Sequence, residues 1–245
     1  MGEQSLPGGF VTTVVRAGNT VRRAQPEDPG YVHAVLRWLE RQGWDGAPRF
    51  LGTDELGREV LSFIDGHVAW EPAQPPSVTS DVSLARVAGL VREFHDLTAG
   101  TPLAAGAEVA CHNDLSPKNT VYRDSGTGLA PVAFIDWDLA APGERIHDIA
   151  HVCWQYLALG PGGDDPAVAG RRMRLICDAY GLPDRGSLLP AILWWQDRCW
   201  RGIEAKAAGG DPAMIRLRDS GAARSVREAC DWVTSHRAGL ATCLR

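Results

Sequence analysis

Short apolar runs separated by turn-forming residues open the chain, a pattern typical of β-strands joined by tight turns. Residues 11–16, the turn at Gly18-Asn19 and residues 20–23 predict a β-hairpin. Two further strands are predicted at 50–51 and 60–64. The beginning of the chain is therefore expected to form a small β-rich lobe.

One amphipathic helix is predicted within this lobe, because apolar residues three or four positions apart follow Pro29-Gly30 and end before Gly43. Its predicted apolar face consists of Tyr31, Val35, Leu36 and Leu39. Residues 71–76 then include three prolines, which neither a helix nor a central strand tolerates. We therefore predict a boundary there, between an N-lobe at residues 1–70 and a C-lobe at residues 71–245.

The predicted C-lobe is mainly helical. Apolar residues from Leu84 to Leu97 recur every three or four positions and predict a helix that ends at Gly100. Two short strands follow, at 120–123 and 132–135. Amphipathic helices are then predicted at 145–159, 167–180, 188–207 and 212–236. The predicted class is α+β, with a small β-rich lobe and a larger helical lobe.

Composition narrows the range of functions. The chain is 44% hydrophobic with a formal net charge of -5, so it offers no broad basic surface for nucleic acid. No apolar stretch approaches membrane-spanning length, so no membrane partner is expected. Six cysteines are scattered without a Cys-x-x-Cys pair, which favours a reduced, cytoplasmic protein. The sequence leaves open whether the protein is a monomer or a homodimer.

Two segments carry the candidate chemistry: residues 112–119, His-Asn-Asp-Leu-Ser-Pro-Lys-Asn, and residues 134–138, Phe-Ile-Asp-Trp-Asp. Asn119 begins one predicted strand and Asp136 ends the next, with typical hairpin-turn residues between them. Antiparallel pairing about residues 127–128 predicts Asn119 opposite Asp136, where side chains lie within about 5 Å of each other. An amide oxygen and a carboxylate at that separation are suitable ligands for Mg²⁺.

Asp114 lies five positions before Asn119 on a loop that Pro117 keeps short, so it is expected to face whatever the metal binds. A carboxylate beside a metal site can orient an attacking hydroxyl group and accept its proton, as phosphoryl transfer requires. His112 is a second catalytic candidate, expected to support the loop through bonds to the backbone or to the region of Asp136. Alternatively, each of Asp114, Asn119 and Asp136 could be a turn residue or a helix cap. Such structural roles would not require all three residues at this linked spacing, which favours the functional interpretation.

His-x-Asp-Leu-x-x-x-Asn followed by a strand-terminal Asp is the second half of the protein-kinase signature. The form with Trp137-Asp138 after the metal ligand resembles the aminoglycoside phosphotransferase and choline kinase-like family, in which His-Gly-Asp-Leu-x-x-x-Asn and Ile-Asp-Trp/Phe-Asp occur. The resemblance implies a protein-kinase-like two-lobe fold with a reduced N-lobe, and ATP (or GTP) and Mg²⁺ as cofactors. It also implies that Asp148 supports the catalytic loop. The backbone segment expected to hold the adenine includes Ser62, Phe63 and Ile64.

The chain departs from the family pattern at the positions that would bind the nucleotide. Only Gly8-Gly9 stands where a glycine-rich loop would cover the phosphates. The strand lysine that contacts the phosphates is absent, because no lysine precedes Lys118. Arg23 or Arg22 is expected to replace it, and Arg23 is favoured because strand alternation places it on the same face as Val21, which would contact the adenine. The helix glutamate that orients this lysine is not evident either.

The acceptor is expected to be a hydroxyl group of a small molecule bound by the helical lobe. Trp194, Asp197 and Arg201 point away from the apolar stripe of their predicted helix and are candidates for this site, as is Asp138. Residues 140–245 contain twelve acidic and fourteen basic residues, a balance that does not favour a polycationic aminoglycoside. An antibiotic acceptor is therefore a hypothesis.

Two other functions fit parts of the sequence. The missing lysine and glycine loop would suit a catalytically inactive nucleotide-binding regulator, but the intact Asp114, Asn119 and Asp136 favour an enzyme. Histidines at 112, 147 and 151 would suit a metal-dependent hydrolase. The segment from 147 to 151 lacks the glutamate of the zinc metalloprotease motif, which weighs against that alternative.

Overall fold

The computed structural model describes residues 2–6, 14–71 and 73–245, so the predicted phosphate-covering pair Gly8-Gly9 lies outside the described residues. The chain divides into two compact units, residues 1–148 and residues 149–245. The described strands all fall in the first unit, and the second unit is helical. The α+β class predicted from the sequence is confirmed. The lobe boundary predicted between residues 70 and 71 stays a prediction.

Five antiparallel strands form the first sheet, in the order β1-β2-β3-β5-β4. They are β1 (Gln4–Ser5), β2 (Val15–Ala17), β3 (Thr20–Arg23), β4 (Phe50–Thr53) and β5 (Glu59–Ser62). Residues 11–13 of the predicted hairpin lie outside the described residues, and the described part is present as β2 and β3. Its turn uses Gly18 with a φ of 63°, which glycine adopts without a steric cost. Pairing of β3 with β5 sets Arg23 directly opposite Glu59. The strand predicted at 60–64 ends at Ser62, so Phe63 and Ile64 follow it.

Helix α1 (Pro29–Arg41) follows this hairpin. It begins where the Asp28 carboxylate accepts the Tyr31 backbone N–H at 3.2 Å and proline occupies the first helical turn. Its buried apolar residues are Val32, Val35, Leu36 and Leu39. Tyr31 is half-buried, because its hydroxyl group donates to the Leu103 carbonyl at 2.8 Å. Val32 therefore takes the place on the buried face that the sequence pattern assigns to Tyr31.

The rest of the first unit builds two smaller antiparallel sheets beside helix α2 (Asp81–Thr98). Strand β7 (Val109–Cys111) pairs with β10 (Ala141–Gly143). Strands β8 (Thr120–Asp124) and β9 (Leu129–Phe134) form the predicted hairpin, and β6 (His67–Val68) pairs with β8. Strands β6, β7 and β10 were not predicted, because two or three residues are too few to show a period.

Helix α3 (Arg145–Tyr156) crosses the boundary between the units, and four helices follow it. They are α4 (Pro166–Tyr180), α5 (Leu188–Ala208), α6 (Pro212–Asp219) and α7 (Ala222–Leu244). The single helix predicted at 212–236 is wrong, because Gly221, with a φ of 87°, separates α6 from α7. None of the helices in the described part of the chain combines the length and the apolar character needed to cross a membrane.

Candidate active site

A buried carboxylate fixes the loop that follows β7. Asp148 accepts the backbone N–H groups of His112 and Asn113, each at 2.8 Å. Its Oδ2 atom also lies 3.0 Å from Nε2 of His95. Burial alone would raise the pKa of Asp148, but the bonds from His95 and from the loop outweigh burial and lower that pKa. An ionised and fully buried carboxylate therefore holds the loop that presents Asp114.

His112 is engaged at both ring nitrogens. Its Nδ1 atom accepts the backbone N–H of Asp114 at 3.3 Å, and its Nε2 atom lies 3.1 Å from the Ile135 carbonyl oxygen. Burial lowers the pKa of His112, so the ring is neutral and Nε2 donates to Ile135. This arrangement links the loop to the residue before Asp136. A direct part for His112 in the chemistry stays a prediction.

Asp114 and Asn119 contact each other at the end of the loop. The Asn119 amide nitrogen donates to the carbonyl oxygen and to Oδ2 of Asp114, each at 2.8 Å. Because both bonds use the nitrogen, the amide oxygen of Asn119 is the atom that a cation would bind. Burial raises the pKa of Asp114 to about 6, Lys118 opposes this rise, and the Asp136 carboxylate adds to it. The Asp136 carboxylate thus lies close enough to Asp114 to affect its pKa.

Trp137 anchors the second motif, residues 134–138. Its side chain is buried, and its indole N–H donates to the Phe134 carbonyl at 3.0 Å. The ring packs against Phe94 and His112, with centroids 5.2 and 4.5 Å away. The neighbouring carboxylates of Asp136 and Asp138 remain accessible, with side-chain exposures of 42% and 31%. The alternation of Asp, Trp and Asp thus holds two carboxylates at the surface of the site.

The predicted register of the β8-β9 hairpin is wrong by one residue. Thr120 pairs with Phe134, and the Ile135 N–H donates to the Asn119 carbonyl at 2.9 Å, so Asn119 lies opposite Ile135. At the turn, Asp124 pairs with Leu129, which lies two positions before the partner that the predicted register gives it. A β-bulge after residue 121 offsets one of these two positions, so a shift of one residue remains at Asn119. Asp136 comes one residue after the paired segment, with a left-handed φ of 65°.

The guanidinium group of Arg23 connects the first sheet with the second motif. Its Nη1 atom donates to Oδ1 of Asp136 at 2.6 Å, and its Nη2 atom donates to Oδ1 of Asp138. Its Nε atom donates to Oε1 of Glu59 at 2.6 Å. Burial alone would lower the pKa of Arg23, but the three carboxylates outweigh burial and raise it. Arg23 is therefore a charged, buried group shared among three carboxylates.

Arg22 lies on the other face of β3. Its guanidinium group pairs with Glu3 at 3.7 Å and with Asp54 at 3.9 Å. Val21 is half-buried and stands opposite Leu61 on β5. Of the two arginines considered as replacements for the lysine, Arg23 is the one that contacts the second motif. The binding of phosphate or adenine by these residues stays a prediction.

The segment predicted to hold the adenine is already hydrogen bonded within the sheet. The backbone N–H of Ser62 donates to the Arg49 carbonyl at 2.9 Å, and that of Phe63 donates to the Asn19 carbonyl at 2.8 Å. An adenine bound to either of these amides would have to replace such a bond. The adenine contacts of Ser62, Phe63 and Ile64 stay a prediction.

The predicted acceptor residues of the second unit lie together on α5. Trp194 is 48% exposed, and its ring lies 4.7 Å from that of Trp195, measured between centroids. Asp197 and Arg201 form an ion pair at 2.7 Å one turn apart. Their part in acceptor binding stays a prediction, as does that of Asp138, which accepts a bond from Arg23.

Two sets of side chains bear on metal binding. Asn119 and Asp136 offer oxygen atoms, the ligands that Mg²⁺ prefers. Asp136 already binds one positively charged group, the guanidinium of Arg23. The residues present therefore fit Mg²⁺. His95, Cys111 and Asp148 form a second cluster of ligand-type side chains, but Asp148 already accepts bonds from the loop and from His95. That cluster is structural, because its ligand atoms are buried within hydrogen bonds of the fold.

Glu59 is a site residue that the sequence pattern did not predict. It is fully buried on β5, and its Oε2 atom lies 2.9 Å from Nε2 of His33 on α1. The signal that could have found it is a charged residue on the same strand face as Leu61, where a buried strand favours apolar residues. The buried carboxylate partner of Arg23 is thus Glu59 on strand β5. Helix α1 contributes indirectly, because its His33 bonds to Glu59.

The fold and the site define a kinase-like small-molecule phosphotransferase. Residues 80–189 match the family described as phosphotransferase enzyme family. The chain is also 30% identical over 267 residues to the trifolitoxin immunity protein of Rhizobium leguminosarum bv. trifolii, covering 99% of this chain and 98% of that protein. The protein belongs to the phosphotransferase enzyme family.

Solved structures establish the protein-kinase-like two-lobe fold. The GDP complex of aminoglycoside 2'-phosphotransferase-IIIa has a TM-score of 0.63 at 13% identity, covering 94% of this chain and 93% of that one. The ethanolamine kinase of Plasmodium vivax has a TM-score of 0.57 at 12% identity, covering 92% and 83%. At these identities the likeness concerns the fold alone. The comparisons give no support to the inactive-regulator alternative.

Proposed function

We propose that this protein transfers the γ-phosphoryl group of ATP to a hydroxyl group of a small molecule. The observation that carries the proposal is the arrangement of Asp114, which bonds to Asn119 and lies within electrostatic reach of Asp136. A candidate base and two candidate metal ligands thus occur together, as phosphoryl transfer requires. The family membership supports the same class of reaction.

Asp114 is the proposed catalytic base. Its Oδ2 atom accepts the bond from Asn119, which leaves Oδ1 for the acceptor hydroxyl group. The hydroxyl oxygen forms a bond to the γ-phosphorus as its proton passes to Asp114. The bond between that phosphorus and the oxygen bridging to the β-phosphate breaks, and its electron pair leaves with ADP. The reaction yields a phosphate monoester and ADP, and the proton returns from Asp114 to water.

Asn119 and Asp136 are the proposed ligands of Mg²⁺, through the amide oxygen and a carboxylate oxygen. When bound, this ion would neutralise negative charge on the phosphate oxygens. Arg23 is the proposed phosphate contact in place of the absent lysine, because its charge lies beside Asp136. We propose ATP as the nucleotide. Binding measurements with ATP and GTP distinguish it from GTP, the alternative.

The acceptor is proposed as a hydroxylated small molecule, with antibiotics and toxins as the first class to test. The curated relative is named as an immunity protein against trifolitoxin. One solved structure of the same fold contains ADP and streptomycin, at a TM-score of 0.58. Trp194, Asp197 and Arg201 on α5 are the proposed acceptor contacts. The panel of candidate acceptors therefore includes aminoglycosides, trifolitoxin and ethanolamine.

The decisive experiment measures ADP release over this panel with Mg-ATP and Mg-GTP, comparing wild type with Asp114→Asn. Loss of a general base is expected to lower kcat by roughly 100- to 10,000-fold. Asp45→Asn is the matched control, because the Asp45 side chain is 94% exposed and makes a surface ion pair. Mass spectrometry of the product identifies the phosphorylated group. Equal turnover by wild type and Asp114→Asn would refute the proposed role of Asp114.

A further inference from the structure

Three carboxylates share one guanidinium group at the candidate metal site. Arg23 binds Asp136 and Asp138 through its two terminal nitrogens and binds Glu59 through Nε. The Arg23 side chain is only 7% exposed, and that of Glu59 is fully buried. One buried positive charge thus faces three carboxylates, one of them fully buried and two partly open to solvent. Such an imbalance favours the entry of a further cation.

The two ends of Arg23 have different surroundings. Glu59 is held on both oxygens, since Oε1 accepts from Arg23 at 2.6 Å and Oε2 bonds to His33 at 2.9 Å. Asp136 and Asp138 belong to a segment just beyond β9, and their side chains are partly open to solvent. The Nε end is therefore fixed within the sheet, whereas the terminal nitrogens face the accessible side of the site.

We propose that Arg23 acts as an internal counter-cation of Asp136 and Asp138 which a divalent metal ion displaces, and that Glu59 is the positioning residue that retains Arg23 when this happens. The inference rests on the proposed function, because it takes Asp136 as a metal ligand. Metal binding releases the terminal nitrogens of Arg23, while the bond to Glu59 keeps the side chain in place. The released nitrogens then face the phosphate groups of the nucleotide.

The proposal predicts effects of opposite sign on metal affinity. Removing the charge of Arg23 frees the carboxylates, so Mn²⁺ binds more tightly to the nucleotide-free protein. Removing the charge of Glu59 leaves Arg23 with Asp136 and Asp138 alone, so Arg23 competes better and Mn²⁺ binds more weakly. A role for Glu59 in stability alone would not produce this pattern, because loss of structure weakens metal binding in both variants.

Mn²⁺ binding to the nucleotide-free protein is measured by electron paramagnetic resonance in wild type, Arg23→Gln, Glu59→Gln and the double variant. We expect the dissociation constant to fall on the order of tenfold in Arg23→Gln and to rise several-fold in Glu59→Gln. In the Arg23→Gln background, Glu59→Gln is expected to have little further effect, because Glu59 acts through Arg23. Arg22→Gln is the matched control, since Arg22 pairs with Glu3 and Asp54 instead.

Two conservative variants keep the test valid if a buried substitution prevents folding. Arg23→Lys retains the charge but cannot reach three carboxylates at once, so it should bind Mn²⁺ more tightly than wild type. Glu59→Asp should restore part of the wild-type affinity. Equal Mn²⁺ affinities in wild type and the Arg23 variants, or shifts of the same sign in Arg23→Gln and Glu59→Gln, would overturn the inference.

The same measurements separate this inference from the proposed function. If Asp136→Asn binds Mn²⁺ as wild type does, Asp136 is not a metal ligand, and both the proposed metal site and the inference are refuted. If the opposite shifts occur but no acceptor or nucleotide is turned over, the counter-cation role stands and the proposed phosphotransfer is refuted.

Discussion

Asp148 accepts the backbone N–H of His112 at 2.8 Å, so a side chain on α3 fixes the first residue of the candidate catalytic loop. Its other oxygen accepts the N–H of Asn113, and His95 completes the set of partners. The loop residues before Asp114 therefore depend on one buried anion and not on a regular strand or helix.

Replacement of Asp148 by Asn should destabilise the protein by about 3 kcal/mol, because one acceptor becomes a donor that faces a buried N–H. Urea unfolding followed by circular dichroism measures this change. The control Asp45→Asn removes an exposed carboxylate and should change the free energy of unfolding by less than about 0.5 kcal/mol. Indistinguishable unfolding midpoints for Asp148→Asn and wild type would show that the loop does not need this anion.

The His95-Asp148 pair predicts how stability depends on pH. Burial lowers the pKa of His95 below its ordinary value of 6.5, so the unfolded chain takes up a proton near that pH and the folded chain does not. Stability therefore falls as the pH falls below about 6.5, by up to about 1.4 kcal/mol per pH unit for this one group. The pKa of Asp148 is also lowered, so its contribution is present above the unfolded pKa and is lost only at more acidic pH.

The variant His95→Gln tests this assignment, because glutamine retains a donor nitrogen but does not titrate. Its free energy of unfolding between pH 5 and pH 7 should depend less on pH than that of wild type. Urea unfolding at several pH values gives both curves. Parallel curves for the two proteins would exclude His95 as a source of the dependence.

The candidate site was predictable where its residues lie close together in sequence. Asp114, Asn119 and Asp136 occur in a fixed order within two motifs, and their spacing was sufficient to place Asn119 and Asp136 at the ends of one hairpin and Asp114 on the loop before it. Their catalytic and metal-binding roles stay predictions. The exact register was not predictable, because a β-bulge after residue 121 leaves no periodic signal. The error of one residue shows that turn counting locates a pair of strands but not the opposed side chains.

Contacts between distant segments escaped the sequence pattern. Arg23 and Glu59 are 36 positions apart and meet only because β3 and β5 are neighbours in the sheet. The family resemblance suggested a partner on a helix, whereas the structure provides one on a strand. The break between α6 and α7 escaped for a different reason, since one glycine within an amphipathic pattern is compatible with a continuous helix.

Asn113 adopts a left-handed conformation, with a φ of 63°, at the position where the related motif has glycine. Its side-chain amide donates to the Leu139 carbonyl at 3.0 Å. Asn113→Ala should lose this bond and add backbone strain, for a total of about 2 kcal/mol, whereas Asn113→Gly should lose only the bond. Glycine is therefore expected to be the less harmful replacement. Urea unfolding of both variants measures the difference, and a greater loss with glycine would contradict the strain argument.

Two glycines in the helical unit should respond to alanine in opposite directions. Gly221 has a φ of 87° between α6 and α7, a conformation that costs a residue with a Cβ atom roughly 1–2 kcal/mol. Gly239 lies inside α7 on an exposed position, and a Cβ atom there would meet nothing within 4 Å. Gly221→Ala should therefore destabilise the protein by about 1 kcal/mol, and Gly239→Ala should stabilise it by roughly 0.5–1 kcal/mol.

The helical signal in circular dichroism, followed during urea unfolding, gives both changes from one type of measurement. Because the two substitutions are chemically identical, the pair controls for the added methyl group. A stabilising effect of Gly221→Ala would mean that the chain can continue as one helix through residue 221, as the apolar pattern alone predicts. A destabilising effect shows instead that the left-handed residue ends α6 and sets the start of α7.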